Sequence, residues 1–127
     1  MRRMRSKGVI AAQARNPGGG LIAMPDTFNT TNREPIIALA ARYGVPTIYY
    51  HRFFTELGGL ITYGTNYAEQ FRQVPEYVDR ILKGEKPADL PIQVPTKFEL
   101  VINLKTAKTL GLDVPTSMQL LADEVIE

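Results

Sequence analysis

The sequence predicts an α/β fold with a mostly parallel sheet flanked by helices. Three observations carry the prediction. Short apolar runs, "GLIAMPD", "VPTIYY", "GGLITYG" and "FELVINL", alternate with segments of helical periodicity. The first run is apolar on successive residues, which suits a strand covered on both faces. Strand, helix and strand then follow one another within about thirty residues, the length of a βαβ unit, whose crossover is nearly always right-handed.

Residues 8–15 read as the last turns of a helix, closed by Asn16, Pro17 and the glycines of "NPGGG". "GLIAMPD" is the first strand, ended by Pro25 and Asp26. "TFNTTNREPIIALAARYG" reads as one helix. Thr31 and Glu34 make a capping box, and Pro35 falls in the first turn, where its missing N–H is harmless. Ile36, Ile37, Leu39, Ala40 and Tyr43 give an apolar stripe before the Gly44 stop. "VPTIYY" is the second strand, "HRFFTEL" a helix of one or two turns, and "GGLITYG" the third strand.

Residues 66–83 place Tyr67, Phe71, Val74, Val78, Ile81 and Leu82 at helical spacing, with Asn66 as N-cap and Gly84 as stop. Pro75 lies inside this helix and predicts a kink. "EKPADLPIQVP" is an extended, proline-spaced connector. "FELVINL" is the fourth strand and "KTAKTLG" a short helix stopped at Gly111. "DVPTSMQLLADEVIE" gives one more helical turn and an acidic tail. The series opens on a helix, whereas a whole doubly wound domain more often starts on a strand.

With 127 residues, 44% apolar and 22% charged, the chain has the composition of a globular protein. The net charge of +2 is local, because Arg2, Arg3, Arg5 and Lys7 supply more than the surplus. No basic face spreads over the fold, so no nucleic-acid partner is expected. The absence of cysteine excludes disulfides, thiolate catalysis and cysteine-based zinc sites. No apolar run approaches the ~18 residues of a membrane span. In "MRRMRSKGVIAAQA" the apolar part, "GVIAA", is shorter than the roughly 7–15 residues of a secretory core. No signal peptide is read, which would leave the chain cytoplasmic if made as written.

"GGLITYG", "YVDRILKG", "KPADLP" and "PTKFELVINLKTAKTLGL" occur in order and close spacing. With "NPGGGLIAMPD" and "REPIIALAARYGVPTIYY" upstream, the chain resembles the ABC transporter substrate-binding proteins of the type 1 periplasmic-binding fold, in their C-terminal portion. The resemblance runs from about Gly8 to Glu127. It implies two α/β lobes around a ligand cleft, joined by three crossover segments. Residues 8–57 would be part of the second lobe, and residues 58–127 the crossovers and the C-terminal strand and helix blocks. Residues 1–7 are a basic, non-matching start.

The implied function is capture of a small, amino-acid-like ligand and its delivery to a membrane permease, outside the cytoplasm. The expectation from this span is a truncated form, whose exposed sheet edges favour self-association. Two alternatives stand beside it: an incomplete gene product without independent function, and a small flavodoxin-like enzyme. The enzyme would need a phosphate loop or a catalytic pair. "NPGGGL" lacks the Lys-Ser/Thr of a P-loop and precedes a strand, and there is no G-x-S-x-G elbow.

Ligands of open α/β sheets bind outside the carboxyl ends of the strands. Asp26 ends the first strand there, where a carboxylate can pair with a ligand ammonium and Thr27 or Asn29 can hydrogen-bond. The competing reading is that Asp26, with Thr30 or Thr31, caps the next helix. Phe28, Tyr49, Tyr50, Phe53 and Phe54 form an aromatic group near two strand ends. Phe53 and Phe54 read as core, while Phe28 and Tyr50 can wall a pocket. The resemblance puts Tyr63 where the chain crosses between lobes, with its hydroxyl toward the cleft. His51, the lone histidine, reads as a surface or loop residue, and Lys83, Lys86, Lys97, Lys105 and Lys108 as a solvated face. The ligand-binding set is therefore Asp26, Thr27, Phe28, Tyr50 and Tyr63, with no catalytic residue, metal or cofactor expected.

Overall fold

A computed structural model describes residues 2–127, with side chains from residue 7 onward. The side chains of the basic start up to Ser6 lie outside the described residues. The chain forms two compact units: one runs to Gly64 and resumes at Glu99–Glu127, and the other is Thr65–Phe98.

Helix α1 (Arg2–Gln13) leads to β1 (Leu21–Ile22), and two helices, α2 (Thr27–Thr31) and α3 (Arg33–Tyr43), carry the chain to β2 (Thr47–Tyr49). After α4 (Arg52–Glu56) comes β3 (Ile61–Thr65). The later elements are α5 (Tyr67–Leu82), β4 (Phe98–Asn103), α6 (Leu104–Thr109), α7 (Thr116–Leu121) and β5 (Glu124–Ile126). The sheet order is β1-β2-β3-β4-β5. The β1–β2, β2–β3 and β4–β5 pairs are parallel. The βαβ unit and the mostly parallel sheet are thus as expected. Between β3 and β4 the direction reverses: Asn103 N–H donates to the Leu60 carbonyl, and Asn66 N–H to that of Lys97.

Four local expectations are corrected. The helix after Asp26 is two helices, and Thr31 belongs to the end of the first rather than to a capping box. Asn32 makes the break, because its backbone and side-chain N–H groups both donate to the Phe28 carbonyl, at 2.9 and 2.8 Å. Such local competition is why asparagine ends helices. The strand β1 is an edge, and Ile22 and Met24 are 69% and 65% exposed, so it is not covered on both faces. The connector is not wholly extended, since Pro87–Asp89 forms a 3₁₀ turn. The acidic tail contains a fifth strand, bound to β4 where Leu100 and Asp123 exchange hydrogen bonds.

The core of the first unit gathers Ile10, Ala23, Ile36, Ile37, Val45, Tyr49 and Phe54. Tyr49 and Phe54 stack at 4.7 Å and 13°. Gly59 lies so close that a Cβ there would stand 2.7 Å from the Phe54 carbonyl oxygen and 2.8 Å from the Tyr49 ring. Burial pushes the Tyr49 phenol up to about 12, with a hydrogen bond from Thr47 acting the other way. Beneath the aromatics lies a satisfied polar network. The Thr55 and Thr62 hydroxyls meet at 2.6 Å, Asn103 Nδ2 donates to the Thr55 carbonyl at 3.1 Å, and Asn103 Oδ1 accepts from Thr106 N–H at 3.0 Å. Asn103 thereby ends β4 and caps α6 in one residue. The second unit is built on α5, whose cap is the Asn66 carboxamide accepting from Glu69 N–H at 3.1 Å. None of the α5 residues is buried.

Candidate functional site

The parallel register of β1, β2 and β3 brings their carboxyl ends to one edge of the sheet. The turn after β1 starts where Ala23 N–H donates to the Ile48 carbonyl at 2.8 Å, and Asp26 follows in extended backbone. Asp26 Oδ1 accepts from Phe28 N–H at 3.0 Å, so the carboxylate caps α2. This is the capping half of the expectation, shifted to a shorter helix. Asp26 is exposed, and Oδ2 takes no hydrogen bond from any described residue. A capping carboxylate with a second oxygen toward solvent is able to hold a ligand donor as well.

Thr27 is exposed at the first position of α2. Phe28 is half-buried and lines an apolar groove of about 290 Å³ with Val9, Leu21, Ile22, Asn29 and Ile36. Asn29 Nδ2 donates to the Met24 carbonyl at 2.8 Å and braces the same turn. Tyr50, at the end of β2, turns its hydroxyl to this turn: it lies 2.6 Å from Thr30 Oγ1 and 3.3 Å from the Asp26 carbonyl oxygen. Its ring meets Phe54 edge-on at 5.1 Å. Asp26, Thr27, Phe28 and Tyr50 are thus one cluster. Tyr63 stays on β3, 58% exposed, one residue past the Tyr49–Thr62 register pair. Gly64 follows it, and any side chain there would collide with the Tyr50 carbonyl. Thr30, read from the sequence only as a cap, joins this cluster, and Gly64 is the neighbour that the sequence did not mark. The signal for Thr30 was its place four residues after Asp26, one helical turn away.

His51 is not a plain loop residue. Its Nδ1 accepts from Phe53 N–H at 3.3 Å and caps α4, with its ring 4.1 Å from the Phe53 ring. Burial lowers its pKa most, Arg52 adds to that, and Glu56 opposes it. Arg52 pairs with Glu56 at 2.8 Å, with Glu124 and, at 3.8 Å, with Glu99, tying β5 to α4. Glu56 first, and then Glu124, keep its guanidinium pKa above the usual value, against a smaller effect of burial. Among the described residues no three histidine, aspartate or glutamate side chains gather as metal ligands. No described helix is long and apolar enough to cross a membrane.

The sequence matches the ABC transporter substrate binding protein family over residues 6–126. The chain belongs to that family. Three solved structures share its fold. A conserved domain protein from Vibrio cholerae is 25% identical, with a TM-score of 0.85 over 97% of this chain and 41% of its own. An ABC domain from Streptococcus pneumonia, in complex with L-Trp, is 22% identical, with a TM-score of 0.84 over 98% of this chain and 42% of its own. A ligand-free, open substrate binding protein with adhesive properties from Clostridium difficile is 19% identical, with a TM-score of 0.66 over 98% and 41%. The chain therefore spans about two-fifths of the length of each. No curated protein matches the sequence.

Proposed function

We propose that this chain belongs to the solute-binding component of an ABC transporter and takes up a small, amino-acid-like ligand at the Asp26–Phe28 turn, for delivery to a membrane permease outside the cytoplasm. The family match over residues 6–126 carries the reading. The site chemistry supports it. Asp26 Oδ2 supplies a carboxylate oxygen for a ligand ammonium, and a charge-assisted bond of that kind is about twice as strong as a neutral one. Thr27 adds an exposed hydroxyl, and Phe28 an aromatic wall beside an apolar groove. The L-Trp held by the Streptococcus structure supports amino acids as the ligand class. Tyr63, exposed on the neighbouring strand, serves as a further contact in this reading. Binding rather than catalysis is the role that these groups suit.

The chain contains no tryptophan, so the emission of added L-tryptophan reports binding directly. The expected result is a saturable change, weakened about tenfold or more by Asp26→Asn, since hydrogen bonds to charged groups contribute roughly 1.5–3 kcal/mol. A calorimetric series over the other amino acids covers a different side-chain preference. If none of them binds the 127-residue chain, the reading of this chain as a self-sufficient binder is lost, and the alternative of a chain without independent function takes its place.

A further inference from the structure

Tyr50 stands among the candidate ligand contacts, yet its hydroxyl is spent inside the protein. Three oxygens form a closed triangle: Tyr50 Oη to Thr30 Oγ1 at 2.6 Å, Thr30 Oγ1 to the Asp26 carbonyl at 3.0 Å, and Tyr50 Oη to that same carbonyl at 3.3 Å. Only two hydroxyl protons are present for three contacts. In either arrangement one proton closes onto the Asp26 carbonyl and the other bridges the two hydroxyls. The carbonyl also receives Thr30 N–H at 3.0 Å. On the far side, the Tyr50 ring packs edge-on against Phe54, which is fully buried. Arg33 holds a carbonyl of α2 itself, donating to Thr30 O at 3.0 Å. The backbone of Asp26 is thereby fixed to the core through a ring and two hydroxyls, while its carboxylate stays exposed.

We propose that Tyr50 and Thr30 are positioning residues that set the Asp26 carboxylate for its ligand, Tyr50 acting through Thr30 and the Asp26 carbonyl instead of touching the ligand. The inference deepens the reading of Asp26 as a ligand contact and rests on it for the ligand part only. The two hydroxyls tie the end of β2 to the start of α2, twenty residues upstream in sequence for the Tyr50–Thr30 pair. A turn held this way offers its carboxylate in one place, which reduces the ordering cost of binding.

Two measurements test it, on the chain as it stands. The first needs no ligand: amide hydrogen exchange by NMR in Tyr50→Phe, Thr30→Val and Thr30→Ser. Tyr50→Phe and Thr30→Val are expected to speed exchange of the Thr30 and Phe28 amides about fivefold each, the effect of one ordinary hydrogen bond. The Ile36 and Ile37 amides of α3 should keep their rates, and Thr30→Ser should stay at the wild-type rate. The second is L-tryptophan affinity in Tyr50→Phe, Asp26→Asn and the double variant. Action through Asp26 requires the Tyr50→Phe loss to shrink markedly once Asp26→Asn is present. Unchanged exchange in both Tyr50→Phe and Thr30→Val overturns the positioning role. So does a Tyr50→Phe affinity loss that persists in full in the double variant, which would make Tyr50 a direct contact. If exchange responds as expected but the wild-type chain binds neither L-tryptophan nor any other amino acid of the calorimetric series, the turn is held as proposed and it is the ligand reading of Asp26 that fails.

Discussion

Helices α3 and α5 carry comparable apolar stripes and meet different fates. In α3, Ile36, Ile37 and Ala40 are buried beneath a core that includes Tyr49 and Phe54. In α5, the stripe Phe71, Val74, Val78 and Leu82 is exposed, Phe71 to 70%, and no residue of the helix is buried. Around it Ile92 and Val94 are exposed too. Periodicity states which face of a helix is apolar, but only the neighbouring elements decide whether it is covered. The two units therefore owe their order to different terms. The first rests on burial and a satisfied polar network, the second on caps, ion pairs and helix propensity.

The largest expected effect separates them directly. Phe54→Ala removes a fully buried ring from the stack with Tyr49, at an expected cost of about 3–5 kcal/mol. Phe71→Ala removes a ring of the same size from an exposed face and should change stability by no more than about 0.5 kcal/mol. Urea titration followed by circular dichroism measures both. Comparable losses would mean that the α5 stripe is covered in solution, for example by a second copy of the chain, and the contrast would then vanish.

Next in size is Pro75→Ala. Pro75 lies within α5, where it can give no N–H to the Phe71 carbonyl. Alanine restores that donor and should stabilise the helix, by up to about 3 kcal/mol on intrinsic propensity. A rise in helicity and slower amide exchange confined to residues 67–82 would sharpen the view that local terms govern this unit. Asn103→Ala probes the opposite regime. It leaves the Thr55 carbonyl and the Thr106 N–H without their side-chain partner, with Asn103 itself 6% exposed. The expected loss is about 1–3 kcal/mol, the desolvation cost of unpaired groups. A loss within a few tenths of a kcal/mol, read from the same urea curves, would show that water replaces the carboxamide.

The βαβ order, the Gly44 and Gly111 stops and the Asn66 cap were legible because each depends on residues close in sequence. The break at Asn32 was less so, since a capping box and a carboxamide competing for the Phe28 carbonyl look alike until the backbone is placed. Strand β5 was hidden because its acidic residues look like a solvated tail. Its partners, Leu100 and Arg52, are 23 and 72 residues from the groups they bond. At the site, the sequence marks Asp26 and Tyr50 as residue types fit for a ligand. That the Tyr50 hydroxyl points to Thr30 depends on the parallel register of β1 and β2, which no local pattern encodes.

The smallest effect lies at the junction of β2 and α4, and pH reaches it. His51 accepts from Phe53 N–H through Nδ1, which it can do only while that nitrogen is unprotonated. Burial lowers its folded-state pKa below the ordinary value near 6.5. The unfolded chain then binds a proton more readily than the folded one, so stability rises with pH across this window. The contribution is fully present above about 6.5 and is lost as pH falls through that value toward the lower folded pKa. The loss should not exceed that of one helix cap, about 1 kcal/mol. His51→Asn keeps a capping acceptor that does not titrate. Thermal melts of wild type and His51→Asn between about pH 7.5 and 5, roughly a unit or more on either side of the ordinary histidine value, should diverge on the acid side alone. A constant gap across the range would mean that the α4 cap does not depend on the charge of His51. It would leave the tilted ring contact of His51 with Phe53, at 4.1 Å and 34°, as what fixes the first turn of α4.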